Sequence, residues 1–234
     1  MDEKRGPVLA SFAHPDDMEI SAGGTLARWA DAGRSVHLLI LTNGDKGSDN
    51  PDDDPAKLER TRAQETEKAA AVLGFASYRI LGHPDGELVN SKGTREPVVR
   101  LIREIRPETV VTSDPTMVFF ENRYYNHSDH RAAGAATLDS VFPGAGNPHF
   151  FPEHLREGLE SWQVNDIWLT WSLEPNHRED ITGLMDRKLA SIYEHKSQLQ
   201  MFGYFEDWVR EEAERVGGVM GVEYGEAFRV LDLE

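Results

Sequence analysis

Two short clusters of histidine and aspartate lie far apart in the chain. The first is the tetrad His-Pro-Asp-Asp at residues 14–17, and the second is His-Ser-Asp-His at residues 127–130. Imidazole and carboxylate are the donors that hold Zn²⁺ or Fe²⁺ in three-ligand sites, which leave coordination positions open for water and substrate. If the two clusters meet in space, we expect a catalytic metal site rather than a structural one.

The residues around the first cluster predict a position at the end of a strand. The apolar run 8–13 predicts a buried strand, 25–32 a helix closed by Gly33, and 36–42 a second strand. A strand–helix–strand unit implies parallel pairing. Since open α/β sheets bind ligands beyond the carboxyl ends of their strands, the tetrad after residue 13 is well placed for chemistry.

The same alternation continues along the chain. Further helices are predicted over 57–73, 97–105, 132–140, 181–201 and 208–216, strands over 77–81, 109–112 and 167–171, and a last strand or extended tail over 227–231. Ser128 or Asp129 can cap the helix over 132–140, which places His130 in its first turn. We therefore expect one α/β domain, 1–234, with a mostly parallel sheet.

The composition excludes several classes of partner. The formal charge is −16 at pH 7, which opposes binding to nucleic acid and favours a small neutral or cationic substrate. The chain has no cysteine, so a metal must rest on histidine and carboxylate, as suits a reducing cytoplasm. Because no apolar stretch approaches the roughly 18 residues of a membrane span, we expect a cytoplasmic protein without a secretion signal or membrane anchor.

Six motifs, in this order, resemble the LmbE-like, or PIG-L, family of N-deacetylases: AHPDDMEISAGGTLARWADAG, LTNGDKG, RAQETEKAAAVLG, LGHPDGEL, YNHSDHRAAG and EHKSQ. The likeness spans nearly the whole chain, and the ordered set is far more specific than any single motif. It implies a Rossmann-like three-layer fold and a zinc-dependent enzyme that removes the acetyl group from N-acetylglucosamine in a small conjugate.

The resemblance implies that His14, Asp17 and His130 are the ligands of a catalytic Zn²⁺. The same set of two histidines and one carboxylate also suits Fe²⁺. In the structural alternative, His14 ends a strand and Asp17 only caps the helix that follows.

The resemblance also implies catalytic roles for Asp16, His127, Asp129 and Tyr125. Asp16 matches the general base that activates the attacking water, although it could instead form an Asx turn. His127 matches the group that stabilises the oxyanion and protonates the leaving amine, and pairing with Asp129 would raise its basicity. His127 as a further ligand or a surface residue, and Tyr125 as a core residue rather than an oxyanion neighbour, stay open.

Arg62 and Asp85 match positions that contact the substrate in the family. A guanidinium suits paired hydroxyls or a carboxylate on a sugar conjugate, but Arg62 could equally form a surface ion pair with Glu65, three residues along a helix. The acidic loop 49–54 is assigned no site. Two stretches that match nothing in the family, 115–125 and 142–152, are expected to shape the substrate pocket.

Together these features predict a metal-dependent hydrolase that removes the N-acetyl group from an amino-sugar conjugate. An amidase or esterase with a non-sugar substrate would use the same site. A non-catalytic metal or small-molecule binding module would keep the ligands but would need neither Asp16 nor His127. Aromatic residues in the last third of the chain make a homo-oligomer a further expectation.

Overall fold

A seven-stranded sheet runs through the computed structural model, which describes residues 6–120, 122–199 and 205–233. The described residues form nine strands, seven of which belong to this sheet: β1 (Val8–Phe12), β2 (Val36–Thr42), β3 (Ser77–His83), β4 (Thr109–Ser113), β5 (Phe119–Phe120), β6 (Tyr124–Tyr125), β7 (Asp166–Thr170), β8 (His177–Asp180) and β9 (Gly225–Asp232). The order in the main sheet is β3-β2-β1-β4-β7-β9-β8, and β5 and β6 form a separate hairpin. Pairing is parallel from β3 to β7, whereas β9 pairs antiparallel with β7 and β8.

Helices cover both faces of this sheet. They are α1 (Asp17–Asp31), α2 (Pro55–Leu73), α3 (Lys92–Ile105), α4 (Ser128–Asp139), α5 (Pro152–Arg156), α6 (Met185–Ile192), α7 (Lys196–Leu199) and α8 (Phe205–Met220). Successive residues of β1 enter different hydrophobic clusters, because Leu9 packs with Ile102 of α3, whereas Val8 and Ala10 pack with Leu26 of α1. A strand buried on both faces is typical of a mostly parallel sheet between two helical layers. The predicted three-layer α/β fold is confirmed.

Helix α1 begins at Asp17, well before the predicted start at residue 25. Gly23 and Gly24 are poor helix formers, so the first half of this helix carries a weak helical pattern. The structure shows why glycine is used here, since a Cβ on Gly24 would lie 2.8 Å from Cγ2 of Ile181. The carboxylate of Glu226 also accepts hydrogen bonds from the backbone N–H groups of Gly24, at 3.0 Å, and Thr25, at 2.8 Å. Tertiary contacts therefore stabilise a helix that its own residues disfavour.

The predicted helix over 181–201 is wrong as a single element. A short turn at Thr182–Leu184 leads into α6, and the chain then leaves helical geometry before α7 begins at Lys196. Residues 200–201 lie outside the described part.

Helix α3 also differs from the prediction, because it begins at Lys92 rather than 97. The Ser91 hydroxyl caps it by accepting the N–H of Thr94 at 3.2 Å.

The last part of the chain completes the sheet. The residues 227–231, predicted as a strand or an extended tail, form the centre of β9, and α8 contains the predicted helix over 208–216. The short strands β5, β6 and β8 were not predicted, since runs of two to four residues carry little periodic pattern. Among the described residues, no helix has the length and apolar character needed to cross a bilayer.

The stretch 142–152 wraps around one buried arginine. The guanidinium of Arg103, which is 1% exposed, donates to five backbone carbonyl groups at 2.9–3.3 Å, those of Gly144, Ala145, Asn147, Phe150 and Phe151. These residues do not line the cavity beside the two histidine and aspartate clusters. The expectation that this stretch shapes the substrate pocket is therefore wrong, and its irregular path instead satisfies a buried cation.

We expect Arg103→Met to lower the free energy of unfolding by at least about 3 kcal/mol, because it leaves several carbonyl groups without a donor. Denaturant unfolding measures the change. Arg79→Met is the matched control, since the Arg79 side chain is half exposed and its ion pair with Glu104 spans 3.6 Å. A loss of less than about 1 kcal/mol for Arg103→Met would contradict this role.

Candidate active site

The fold brings the two histidine and aspartate clusters together at the carboxyl end of β1. The first cluster forms the turn between β1 and α1, where Asp16 adopts a left-handed backbone conformation with φ of 105°. A non-glycine residue in this region is strained, and such strain is common at functional sites. The second cluster begins α4, with His130 in its first turn, as predicted. The predicted cap at Ser128 or Asp129 is wrong, because α4 already begins at Ser128 and its N-cap is His127.

His14 and His130 both approach the carboxylate of Asp17. Nε2 of His130 lies 3.0 Å from Oδ1 of Asp17, and Nδ1 of His14 lies 3.4 Å from Oδ2. The other ring nitrogen of His130 contacts the amide oxygen of Asn126 at 2.9 Å, so it carries the hydrogen and leaves Nε2 with its lone pair. Ligand atoms of the three residues lie within 4.8 Å of one another. The donor types and tautomer suit a bound dication.

Carboxylates on the other side of the His14 ring place its hydrogen on Nε2. Nε2 of His14 lies 3.1 Å from Oδ1 of Asp85 and 3.3 Å from Oδ2 of Asp129. A hydrogen on Nε2 therefore leaves the Nδ1 lone pair facing Asp17. Burial would lower the pKa of His14, but Asp17, Asp129 and Asp85 raise it well above its usual value. This excess of carboxylate favours a cation in the site.

The pKa of Asp17 supports the same conclusion. Burial alone would raise it, but the facing imidazoles of His130 and His14 hold it well below the usual range of a carboxyl group. Asp17 is therefore an ionised carboxylate between two imidazoles, as a ligand of Zn²⁺ or Fe²⁺ must be.

Asp129 orients His14 rather than His127, which corrects the expected side-chain pair. Its buried carboxylate accepts hydrogen bonds from the N–H groups of Gly86 at 2.7 Å and Leu88 at 3.2 Å and faces His14. Only its backbone N–H reaches His127, where it donates to Nδ1 at 3.2 Å. Burial and the neighbouring rings of His14 and His130 lower the pKa of His127, although Asp129 acts to raise it, so the net direction is opposite to the predicted rise in basicity.

We expect Asp129→Ala to weaken metal binding, because loss of a carboxylate behind a ligating histidine typically costs about 10- to 100-fold in affinity. Competition with a chromophoric chelator measures the change. Asp139→Ala removes a carboxylate at the exposed end of the same helix and serves as the control. An unchanged affinity in Asp129→Ala would exclude the proposed orientation of His14.

A second set of ligand types shares His14 with the first. Ligand atoms of His14, Asp85 and His127 also lie within 4.8 Å of one another. In this set, however, Nδ1 of His127 already accepts the N–H of Asp129, and Nε2 of His14 faces two carboxylates. The orientation of the rings therefore favours the set with Asp17 and His130.

Arg62 contacts Asp16 rather than Glu65. Its guanidinium, 3% exposed, donates to the backbone oxygens of Pro15 at 2.6 Å and Gly44 at 3.1 Å and to Oδ2 of Asp16 at 3.2 Å. It lines the cavity, but these contacts assign it to Asp16, and the alternative of a surface pair with Glu65 is wrong. Burial raises the pKa of Asp16 to about 6, although Arg62 opposes the rise.

A cavity of about 780 Å³ extends from these residues to α8. It is lined near the site by Asp16, Asp85, His127 and Arg62 and further out by Met117, Phe120, Arg123, Tyr124 and Trp208. The stretch 115–125 therefore helps to shape the pocket, as expected. Tyr124 belongs to the lining of the cavity and Tyr125 does not. The Tyr125 hydroxyl instead accepts a hydrogen bond from Arg131 at 3.2 Å.

Two neighbours of the site were missed from the sequence. The amide oxygen of Asn126 holds the ring of His130 by its contact with Nδ1. Asn126 lies four residues before His130, and this spacing could have indicated the contact. The ring of Trp171 lies 5.2 Å from that of His130, and Trp171 directly follows β7 at the edge of the sheet where the ligands lie.

The acidic loop 49–54 contributes no site residue. Asp54 caps α2 by accepting the N–H of Ala56 at 3.0 Å, and Asp53 accepts hydrogen bonds from Ser48 and Asn50.

Comparison with known proteins identifies the family of this chain. The family described as GlcNAc-PI de-N-acetylase (PIG-L) matches residues 9–141, which include all three proposed metal ligands. The chain therefore belongs to the PIG-L, or LmbE-like, family, and the resemblance seen in the motifs is confirmed.

Individual relatives extend the match over nearly the whole chain. The chain is 31% identical over 226 residues to a diacetylchitobiose deacetylase of Thermococcus kodakarensis, covering 96% of this chain and 82% of that protein. It is 29% identical over 243 residues to a 1D-myo-inositol 2-acetamido-2-deoxy-alpha-D-glucopyranoside deacetylase of Rhodococcus erythropolis, with 82% and 81% covered. The solved N,N'-diacetylchitobiose deacetylase of Pyrococcus horikoshii superposes with a TM-score of 0.89 at 31% identity, covering 99% of this chain and 85% of that one.

Proposed function

We propose that this protein is a zinc-dependent N-deacetylase that releases acetate from N-acetylglucosamine units of a small conjugate. The observation that carries the proposal is the cluster of His14, Asp17 and His130 beside Asp16, at one end of a cavity of about 780 Å³. The relatives in Thermococcus, Rhodococcus and Pyrococcus are all named as deacetylases, of substrates that contain an N-acetylated glucosamine.

The donor set supports zinc as the resident ion. Two imidazoles and one carboxylate leave further positions for water and substrate, as in catalytic zinc sites. The same set is also used for Fe²⁺. Anaerobic purification followed by elemental analysis distinguishes the two ions.

The residues around the site divide the chemistry of amide hydrolysis. When bound, the ion supplies a Lewis acid and lowers the pKa of a water molecule toward about 7. Asp16 takes a proton from the attacking water, and a pKa of about 6 makes it a stronger base than an ordinary carboxylate while it stays ionised at neutral pH. Asp16 then passes this proton to the amine nitrogen as the C–N bond breaks, which yields acetate and the free amine.

His127 stabilises the negative oxygen of the tetrahedral intermediate. Because its Nδ1 accepts the N–H of Asp129, the neutral ring carries its hydrogen on Nε2, which is free to donate to that oxygen. Because Nδ1 accepts this N–H, it has no place for a second hydrogen, so we propose hydrogen-bond donation rather than the expected acid role for His127.

Acetate release tests the substrate class. We expect kcat/KM for diacetylchitobiose or the N-acetylglucosamine–inositol conjugate to exceed that for N-ethylacetamide by at least a hundredfold, because the cavity extends well beyond the acetyl site. Equal values for sugar and simple amide substrates would indicate a general amidase. No acetate from any of the sugars, with the metal bound, would overturn the proposal.

A further inference from the structure

The motif Glu-His-Lys-Ser-Gln at 194–198 has no role in the chemistry proposed above, yet its buried side chains contact residues close to Asp16. Nε2 of His195 lies 3.1 Å from Oε1 of Glu19, near the start of α1. The N–H and hydroxyl groups of Ser197 donate to the two carboxylate oxygens of Glu65, at 2.8 and 2.7 Å. The motif thus joins α7 to the two helices that flank the general base.

Glu65 lies on α2 three residues after Arg62. Residues at this spacing are neighbours on a helix surface, and a carboxylate and a guanidinium placed there normally pair. Both side chains are buried, at 3% exposed for Arg62 and 5% for Glu65. A buried carboxylate needs partners, so without others Glu65 would compete for Arg62.

Arg62 has one N–H group that could donate to Glu65. Its Nη1 and Nη2 atoms are engaged by Gly44, Pro15 and Asp16, whereas its buried Nε has no hydrogen-bond partner among the described residues. The guanidinium is also confined, since a Cβ on Gly47 would lie 2.4 Å from Nη1. A carboxylate of Glu65 turned toward this N–H group would therefore compete with Asp16 for the guanidinium.

We propose that Ser197 is a positioning residue, which binds the carboxylate of Glu65 and so leaves Arg62 to hold the general base Asp16. The catalytic part of this inference rests on the proposed function. Both carboxylate oxygens of Glu65 accept hydrogen bonds from Ser197. Among the described residues, the only charged partner that Arg62 contacts is Asp16. The Glu-His-Lys-Ser-Gln motif thus acts on the general base without contacting the substrate.

The kinetic test is Ser197→Ala, alone and combined with Glu65→Gln. Loss of the hydroxyl leaves one oxygen of Glu65 unsatisfied, so we expect kcat to fall on the order of tenfold, a part of the 10²–10⁴ that a general base contributes. KM and metal content should stay unchanged. Glu65→Gln should restore most of kcat in the double variant, because a neutral amide does not compete for Arg62, and Ser197→Thr, which keeps the hydroxyl, should retain more kcat than Ser197→Ala.

Two kinetic outcomes would overturn the inference: wild-type kcat in Ser197→Ala, or a loss that Glu65→Gln fails to restore. The second would indicate a merely structural role, in which each further change adds damage. A crystal structure of Ser197→Ala gives a test that does not depend on activity. We expect Arg62 within hydrogen-bond distance of Glu65 and displaced from Asp16, and an unchanged contact with Asp16 would exclude the mechanism even if the enzyme's substrate proved to be a different one.

Discussion

Asp16→Asn should lower kcat for deacetylation by about 10³-fold while the protein still binds its metal. The amide keeps the shape of the side chain and can still accept a hydrogen bond from Arg62, but it cannot take a proton from water. General bases contribute roughly 10²–10⁴ to the rate. Acetate release and elemental analysis on the same preparation measure both quantities.

Asp31→Asn is the matched control for this variant. Asp31 is the last residue of α1, the helix that follows Asp16; its side chain is 57% exposed, and its pair with Arg187 is at the surface. We expect near wild-type kcat in the control. If Asp16→Asn also kept wild-type kcat with its metal bound, another group would have to be the base.

His130→Ala should remove both tight metal binding and activity. Loss of a residue that hydrogen-bonds to a metal ligand already costs about 10- to 100-fold in metal affinity. Loss of the ligand itself should therefore cost at least about 100-fold. We expect kcat/KM to fall by 10³-fold or more at metal concentrations that saturate the wild type, since the ion is needed to activate water and to polarise the acetyl carbonyl.

His149→Ala provides the comparison for His130→Ala, because His149 is exposed in the stretch that surrounds Arg103. Its metal affinity and activity should match those of the wild type. Undiminished zinc affinity in His130→Ala would exclude His130 as a ligand and would favour the set of His14, Asp85 and His127.

The sequence could predict the central sheet and the ligand cluster because both depend on local patterns. The apolar run before His14 and the capped helix containing His130 place both clusters at strand or helix ends. Orientation could not be predicted in the same way. The direction of the Asp129 carboxylate depends on the N–H groups of Gly86 and Leu88, about forty residues away in the chain, and no spacing rule connects them.

The same limit explains why the contacts of Arg62 and the start of α1 could not be predicted. The spacing of Arg62 and Glu65 allowed an ion pair as the alternative to substrate binding, but Ser197 from a distant segment takes the carboxylate. The start of α1 was missed because Glu226 and Ile181, which stabilise its glycines, come late in the chain. The cytoplasmic location and self-association expected from the composition stay predictions.

Chelation tests the central claim most directly. After exhaustive removal of metal and confirmation by elemental analysis, the protein should release no acetate from diacetylchitobiose or the N-acetylglucosamine–inositol conjugate, and one equivalent of Zn²⁺ or Fe²⁺ should restore activity. Full activity in the metal-free protein would contradict the assignment of His14, Asp17 and His130 as a catalytic metal site.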